Sequence, residues 1–304
     1  MSRSKKTKSG SSLNVFDILL ILLLLLGAGM YYYITNVQNL SSMKKASTPA
    51  IATPEASTSL DLPTEFPAGS SVSIESASSL ATFNKRLGQA FIKRYPGVKY
   101  SWKTSSSLEA IQALIAGRAD VAAIARPLTS REEALGLVAV PVKTDAIAIL
   151  VGRQNPFKKG LTTEQLRNIF LGKVTNWSQL GGVRLPLRVI NRPPSTGTYQ
   201  TFQKAILGSR DFGNGPNWTT MERSGSTEVL QKLGVNGISY VNYSQIKTQK
   251  TIRALPLDGM IPGSPQYPLI SVLYYVYSPT ATEATKALIT FATSPAGKAI
   301  AALE

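Results

Sequence analysis

Residues 71–125 read SVSIESASSLATFNKRLGQAFIKRYPGVKYSWKTSSSLEAIQALIAGRADVAAIA, and the order of patterns within them decides the fold. Ser71–Ile74 has the composition of a short strand. Leu80–Tyr95 places Phe83, Leu87, Ala90 and Phe91 at helical spacing, and Pro96-Gly97 stops it. Val98 to Trp102 then alternates as a half-buried strand does. Leu108–Ala116 is a second amphipathic helix, closed by Gly117, and Val121–Ala125 is a short, wholly apolar strand. A strand-helix-strand-helix-strand opening predicts an α/β fold with a mostly parallel sheet.

Further along, Leu137–Val142 and Ala146–Val151 read as apolar strands flanking Lys143-Thr144-Asp145. Thr162–Phe170 is an expected helix with a threonine cap and Glu164 in its first turn. A strand at Leu187–Ile190 leads through Pro193-Pro194-Ser195-Thr196-Gly197-Thr198 into a helix at Tyr199–Leu207. A helix at Ser226–Leu233, strands at Gly237–Val241 and Leu269–Tyr277, and one terminal helix near Thr282–Leu303 complete the reading.

Outward toward the N-terminus the chain changes character. Ile18 to Ile34 carries no charge, about 26 Å of helix at ~1.5 Å per residue against a hydrocarbon layer of ~30 Å. Residues 15–35 are therefore expected to form a transmembrane helix. Arg3, Lys5, Lys6 and Lys8 make residues 1–14 a basic cytoplasmic tail by the positive-inside bias. The alternative is a cleaved signal peptide ending near Gly27-Ala28-Gly29; the apolar run continues through Met30 and Tyr31 to Tyr33, which favours a retained anchor. On either reading the bulk of the chain is exported, and the retained anchor puts it outside the plasma membrane as a single-pass protein. Residues 36–68, rich in Ser, Thr, Ala and Pro with no apolar period, are expected to be a disordered tether. If flexible, its reach is about 30 Å.

Composition excludes several chemistries. The 304 residues contain no Cys and no His, which removes disulfides, thiolate nucleophiles, Ser-His-Asp triads and the usual zinc ligands. A binding protein without metal or cofactor is expected rather than an enzyme. Residues 69–304 carry 27 basic and 13 acidic residues, a net charge of +14, which favours an anionic partner. Aromatic residues do not alternate with the basic ones as a stacking platform requires, so no nucleic acid is expected.

Three segments share one design, a strand followed by a hydroxyl-rich turn and a helix: Ser76-Ala77-Ser78-Ser79, Thr104-Ser105-Ser106-Ser107 and Ser195-Thr196-Gly197-Thr198. Each helix start offers unpaired backbone N–H groups and the positive end of the helix dipole. Any one turn alone is adequately explained as a helix cap. Three in one basic domain, with Arg192 beside the third, predict an oxyanion site, because a guanidinium pairs bidentately with a tetrahedral oxyanion.

The quoted turns sit in recognisable surroundings. Thr144–Val151 runs on to Asn155-Pro156-Phe157, then to Leu161–Trp177 (LTTEQLRNIFLGKVTNW), and Arg192–Phe202 reads RPPSTGTYQTF. With Gly117–Ala122 and Gly237–Val241, these stretches resemble the phosphate-binding protein family of ABC phosphate importers. The resemblance implies a two-lobe type II periplasmic-binding-protein fold closing on phosphate, with lobe one at 69–142 plus 269–304 and lobe two at 143–268. It implies ligand contacts from Ser78, Ser79, Ser107, Arg192, Ser195, Gly197 and Thr198, and an ABC permease as partner. Two departures matter. Glycines of the family's first two turns are replaced by side-chain residues, and an Asp that accepts the proton of phosphate in some members aligns with Arg126. Arg126 is carried either as a further anion contact or as an exterior charge. Glu75, beside the first turn, is a candidate to substitute as that proton acceptor, the favoured expectation being that it faces solvent. The expected function is membrane-tethered phosphate binding for uptake or sensing; the alternatives are another oxyanion such as sulfate, or a partner-docking module.

Overall fold

The computed structural model describes residues 65–303. The basic tail, the expected span at 15–35 and nearly all of the tether lie outside the described residues. Among the described residues no helix is long and apolar enough to cross a membrane.

The opening pattern folds as β1 (Ser71–Ala77), α1 (Ala81–Arg94), β2 (Lys99–Ser105), α2 (Ser107–Ile115) and β3 (Val121–Ile124). A single 3-10 turn, Ser78–Leu80, joins β1 to α1. β1 lies parallel to both β2 and β3. A five-residue helix, α3 (Ser130–Ala134), precedes β4 (Val138–Gly152). Next come α4 (Thr163–Phe170), β5 (Arg188–Asn191), α5 (Gly197–Phe202), β6 (Trp218–Thr220), α6 (Ser226–Lys232), β7 (Gly237–Asn242) and β8 (Ile252–Leu255). The chain ends with β9 (Ile270–Tyr277), α7 (Glu283–Thr293) and α8 (Pro295–Ala302).

β4 corrects the sequence reading. Lys143-Thr144-Asp145 does not separate two strands; it lies inside one strand of 15 residues that passes from one half of the molecule to the other. Its first part, Val138 to Ala146, pairs antiparallel with β9, while Ile147 to Gly152 pairs with β7 and β8. The polar triplet marks the junction, where Asp145 accepts hydrogen bonds from the backbone N–H and hydroxyl of Ser244. We call the half around β1–β3 and β9 lobe one, and the half around β5–β8 lobe two.

The sheet is also less parallel than expected. Its order is β2-β1-β3-β9-β4-β7-β5-β6, with β8 on β4, and every pairing made by β4 or β9 is antiparallel. These two strands connect the lobes directly, without the helical crossover that a parallel neighbour requires. The terminal helix is likewise two: Ser294 ends α7 and its hydroxyl caps α8, whose first residue is Pro295.

Each lobe is a sheet covered on both faces, which is why its central strands read as unbroken apolar runs. Val121 and Ala123 of β3 enter the cluster with Phe83, Leu87 and Leu288, whereas Ala122 and Ile124 enter the one with Ala110 and Ile111. In lobe two, Ile147, Ile149 and Val151 of β4 join Phe170, Trp177 and Tyr240, while Ala148 and Leu150 face Val229 and Leu233. All four clusters stay within one lobe. The lobes meet through polar groups.

Candidate anion-binding site

The C-terminal ends of β1, β2 and β5 converge where the lobes face each other, each feeding a helix start. Which hydroxyls merely cap those helices is now visible. Ser106 caps α2, accepting from Glu109 N–H while the Glu109 carboxylate accepts from Ser106 N–H. Thr196 caps α5, accepting from Tyr199 N–H. Ser107, Ser195, Gly197 and Thr198 are therefore not used as caps, and neither Ser78 nor Ser79 makes a side-chain cap to its own turn.

Four of these residues are brought together across the lobe boundary. The Ser107 hydroxyl oxygen accepts from Gly197 N–H at 3.2 Å and from Ala125 N–H at 3.1 Å. Leu108 N–H donates to Ser195 O at 3.2 Å. A Cβ on Gly197 would lie 2.7 Å from both Ala125 C and Ser107 Oγ, so glycine is needed for this approach. Ser78 donates to Ser224 O at 3.2 Å, and that same carbonyl accepts from Arg192 Nη2. Ser224 in turn donates to Ser105 O, and Gln245 Nε2 donates to Ser78 O. The first turn, the second turn, the third turn and Arg192 thus form one ring of contacts.

Arg192 is the most unusual member. It is 1% exposed, and its Nε and Nη1 have no hydrogen-bond partner in the protein. Burial lowers its pKa to about 10, nearby Tyr240 pulling the other way, so it remains a cation at neutral pH. Ser79, 5% exposed, also has a hydroxyl without a partner. Buried donors of this kind are costly unless something accepts from them. Tyr240 holds the base of the site: its hydroxyl donates to Asn191 Oδ1 at 2.8 Å, and that oxygen also accepts from Arg192 N–H.

The remaining expectations fare differently. The Thr198 hydroxyl donates to Asn242 Oδ1 at 2.8 Å, so its hydrogen is already engaged. Arg126 is neither an exterior charge nor part of the ring. It is 5% exposed, and Nη1 and Nη2 bind the two carboxylate oxygens of Glu132, each at 2.7 Å. Burial would push the Glu132 carboxyl up, but Arg126 and the Thr129 N–H hold it below the usual range. Glu75 is buried as well, paired with Lys103 at 2.8 Å. It lines a cavity of about 450 Å³ that opens beside the ring, with Ser105, Ser195 and Ser224.

Ser224 was not anticipated. Its signal was present: Ser224-Gly225-Ser226 before α6 repeats the hydroxyl-rich turn leading into a helix. Glu132 was legible too, as the last residue of the capping box Thr129-x-x-Glu132.

Comparison with known proteins agrees with this architecture. A sequence profile of the PBP superfamily domain matches residues 46–296. The phosphate-binding protein PstS of Bacillus subtilis is 31% identical over 132 residues, 42% of each chain. PstS of Pseudomonas aeruginosa PAO1 is 31% identical over 183 residues, 53% of this chain and 55% of its own. The chain thus spans about half the length of the curated relatives it matches. A putative phosphate ABC transporter substrate-binding protein from Clostridium perfringens, solved with bound phosphate, superposes with a TM-score of 0.69 at 27% identity. That match covers 77% of this chain and 97% of the other. An ABC-type phosphate transport receptor from Vibrio cholerae shares the fold, with a TM-score of 0.63 at 24% identity over 77% and 98% of the two chains. With its α/β type II fold and a profile match over most of its length, the chain belongs to the PBP superfamily.

Proposed function

We propose that the two lobes close on inorganic phosphate, and that the chain is the solute-binding component of an ABC-type uptake or sensing system. The observation that carries this reading is Arg192, a fully buried cation with two unpartnered donors, which shares the Ser224 carbonyl with Ser78, the neighbour in sequence of the unpartnered Ser79 hydroxyl. A tetrahedral oxyanion supplies the acceptors these groups lack and neutralises the buried charge. The relatives named for phosphate support the same ligand. Ser78, Ser107, Ser195, Gly197 and the Thr198 backbone complete the proposed contact set, the Ser78 hydroxyl and the Gly197 N–H turning to the anion from Ser224 O and Ser107 Oγ, to which they donate here; Arg126 is left out of it because its fork is held by Glu132. The lobe limits 69–142 plus 269–304 and 143–268, the membrane span at 15–35 and an ABC permease partner belong to the same proposal.

Ligand binding stabilises a folded protein in proportion to the logarithm of ligand concentration over Kd. Thermal unfolding should therefore shift upward with phosphate. An equal shift with sulfate would reassign the ligand, a reading favoured by the absence of an unpaired acid at the Arg126 position. No shift with either anion would reject the site.

A further inference from the structure

The outer end of lobe two, away from the ring, has a composition of its own. Four chain segments meet there: 152–160, 181–188, 231–236 and 249–253. Arg153 N–H donates to Thr251 O, and Arg253 donates to Asn155 O and Phe157 O. Arg188 donates to Lys232 O, and Trp177 Nε1 donates to Asn236 O. Gly152 packs against the carbonyl of Gly234. These segments contain no Asp or Glu at all. They expose Arg153, Lys158, Lys159, Arg184, Lys232 and Lys250, and between them Val183 and Val235, which are 54% and 48% exposed. A recess of about 600 Å³ lies in the same face, lined in part by Arg153, Lys250, Thr227 and Gln231.

We infer that this end of lobe two is a docking face for an anionic phospholipid surface. Lysines and arginines concentrated without acids are attracted to such a surface within a screening length, and exposed aliphatic side chains among them suit the headgroup boundary. The sequence also puts a bilayer within reach. Residues 36–64, which precede the described part of the domain, would span at most about 96 Å at ~3.3 Å per residue, so an expected membrane anchor leaves either end of the domain within range of a bilayer. The face lies apart from Arg192 and the serine turns, so docking leaves the cleft free. The inference rests on this face and on the expected N-terminal anchor, and stands or falls independently of the phosphate reading.

The test uses the full chain in lipid nanodiscs. The protein has no cysteine, so Gln249→Cys carries a single fluorophore on this face and Gln89→Cys carries a reference on α1. Quenching by a nitroxide-labelled lipid is compared in phosphatidylcholine discs and in discs enriched in phosphatidylglycerol. The expected result is quenching at position 249 only with phosphatidylglycerol, lost as salt approaches 1 M, where the screening length is ~3 Å. The triple variant Lys158→Glu/Lys159→Glu/Lys250→Glu should weaken docking by roughly 100-fold or more, on about fivefold per cation removed, with phosphate binding unchanged. Protein that stays out of neutral discs and joins only anionic ones supports the inference where position 249 is quenched above position 89 and the triple variant loses that quenching. Quenching that is the same in both lipids, that favours position 89, or that survives the triple variant overturns it. So does a response to soluble polyphosphate or an acidic protein with no response to phosphatidylglycerol.

Discussion

Replacing Arg192 by methionine should separate binding from stability. Burial lowers the pKa of this guanidinium from its ordinary value to about 10, and at ~1.4 kcal/mol per unit the buried cation costs the folded protein about 3 kcal/mol. Methionine fills part of the same volume without a charge. It forfeits the hydrogen bond to Ser224 O, worth ~1 kcal/mol. For a domain of this size each kcal/mol moves Tm by about 2–4 °C, so the ligand-free variant should melt a few degrees above the wild type. In phosphate at 100 times Kd, the wild type gains ~2.7 kcal/mol and rises by roughly 5–10 °C, whereas the variant should not respond. Losing two charge-assisted donors at ~1.5–3 kcal/mol each lowers affinity by about two to four orders of magnitude. Arg192→Lys keeps the charge but not the fork and should lose most of that affinity too. Differential scanning calorimetry and titration calorimetry read both quantities. A variant that melts below the wild type yet keeps its phosphate shift would refute the reasoning on both counts.

Gly197→Ala places a methyl group 2.7 Å from Ala125 C and Ser107 Oγ, so titration calorimetry should show at least a tenfold loss of phosphate affinity with Tm nearly unchanged. Ser107→Ala leaves the Gly197 and Ala125 N–H groups without an acceptor, at about 1–3 kcal/mol each; chemical denaturation should register the Ala125 part and ligand titration the Gly197 part. Glu132→Gln breaks the buried pair with Arg126 and should destabilise by roughly 3–5 kcal/mol. Because the Glu132 pKa is lowered on folding, its contribution is present above the usual glutamate range and disappears as pH falls through the lowered value. Denaturation midpoints of wild type and variant should therefore converge in acid and diverge toward neutrality.

The elements that followed one period were readable, and those at the lobe junction were not. Leu108–Ala116 and Thr162–Phe170 announce themselves through apolar spacing and a capping hydroxyl, and they fold within a residue or two of expectation. β4 misled because a local reading treats a polar triplet as a turn. Here Lys143-Thr144-Asp145 pairs with Leu273, Val272 and Ser271 of β9, and Asp145 finds Ser244 about a hundred residues away. The break at Ser294-Pro295 was local and could have been read, since proline at the first helical position with serine before it is a start signal. In the site, sequence could nominate hydroxyls but could not divide caps from free groups. That division depends on which oxygen reaches the third N–H of each helix, and it fell to Ser106 and Thr196. The destiny of Arg126 was hidden for another reason. An arginine near an aligned ligand position carries no mark of being held by Glu132 until α3 turns that carboxylate back onto it.

The division of the apolar clusters explains why such a molecule would respond to an anion at all. No cluster crosses the cleft, so closing the lobes gains little from apolar burial and exchanges one set of hydrogen bonds, with water, for another, such as Ser107 with Gly197 and Ser78 with Ser224. Such an exchange is close to balance, and a near-balanced equilibrium is the kind a small ligand can command. Moving a population from 1:99 to 99:1 takes ~5.5 kcal/mol of differential affinity. Arg192 Nε and Nη1 belong to lobe two and the Ser79 hydroxyl to lobe one, so on the proposed reading an oxyanion would bridge the two. Of these three bonds only the one to Ser79 is denied to an ion held by Arg192 in an open cleft, about 1.5–3 kcal/mol of differential affinity, so further contacts from the serine turns of lobe one must supply the rest of the shift.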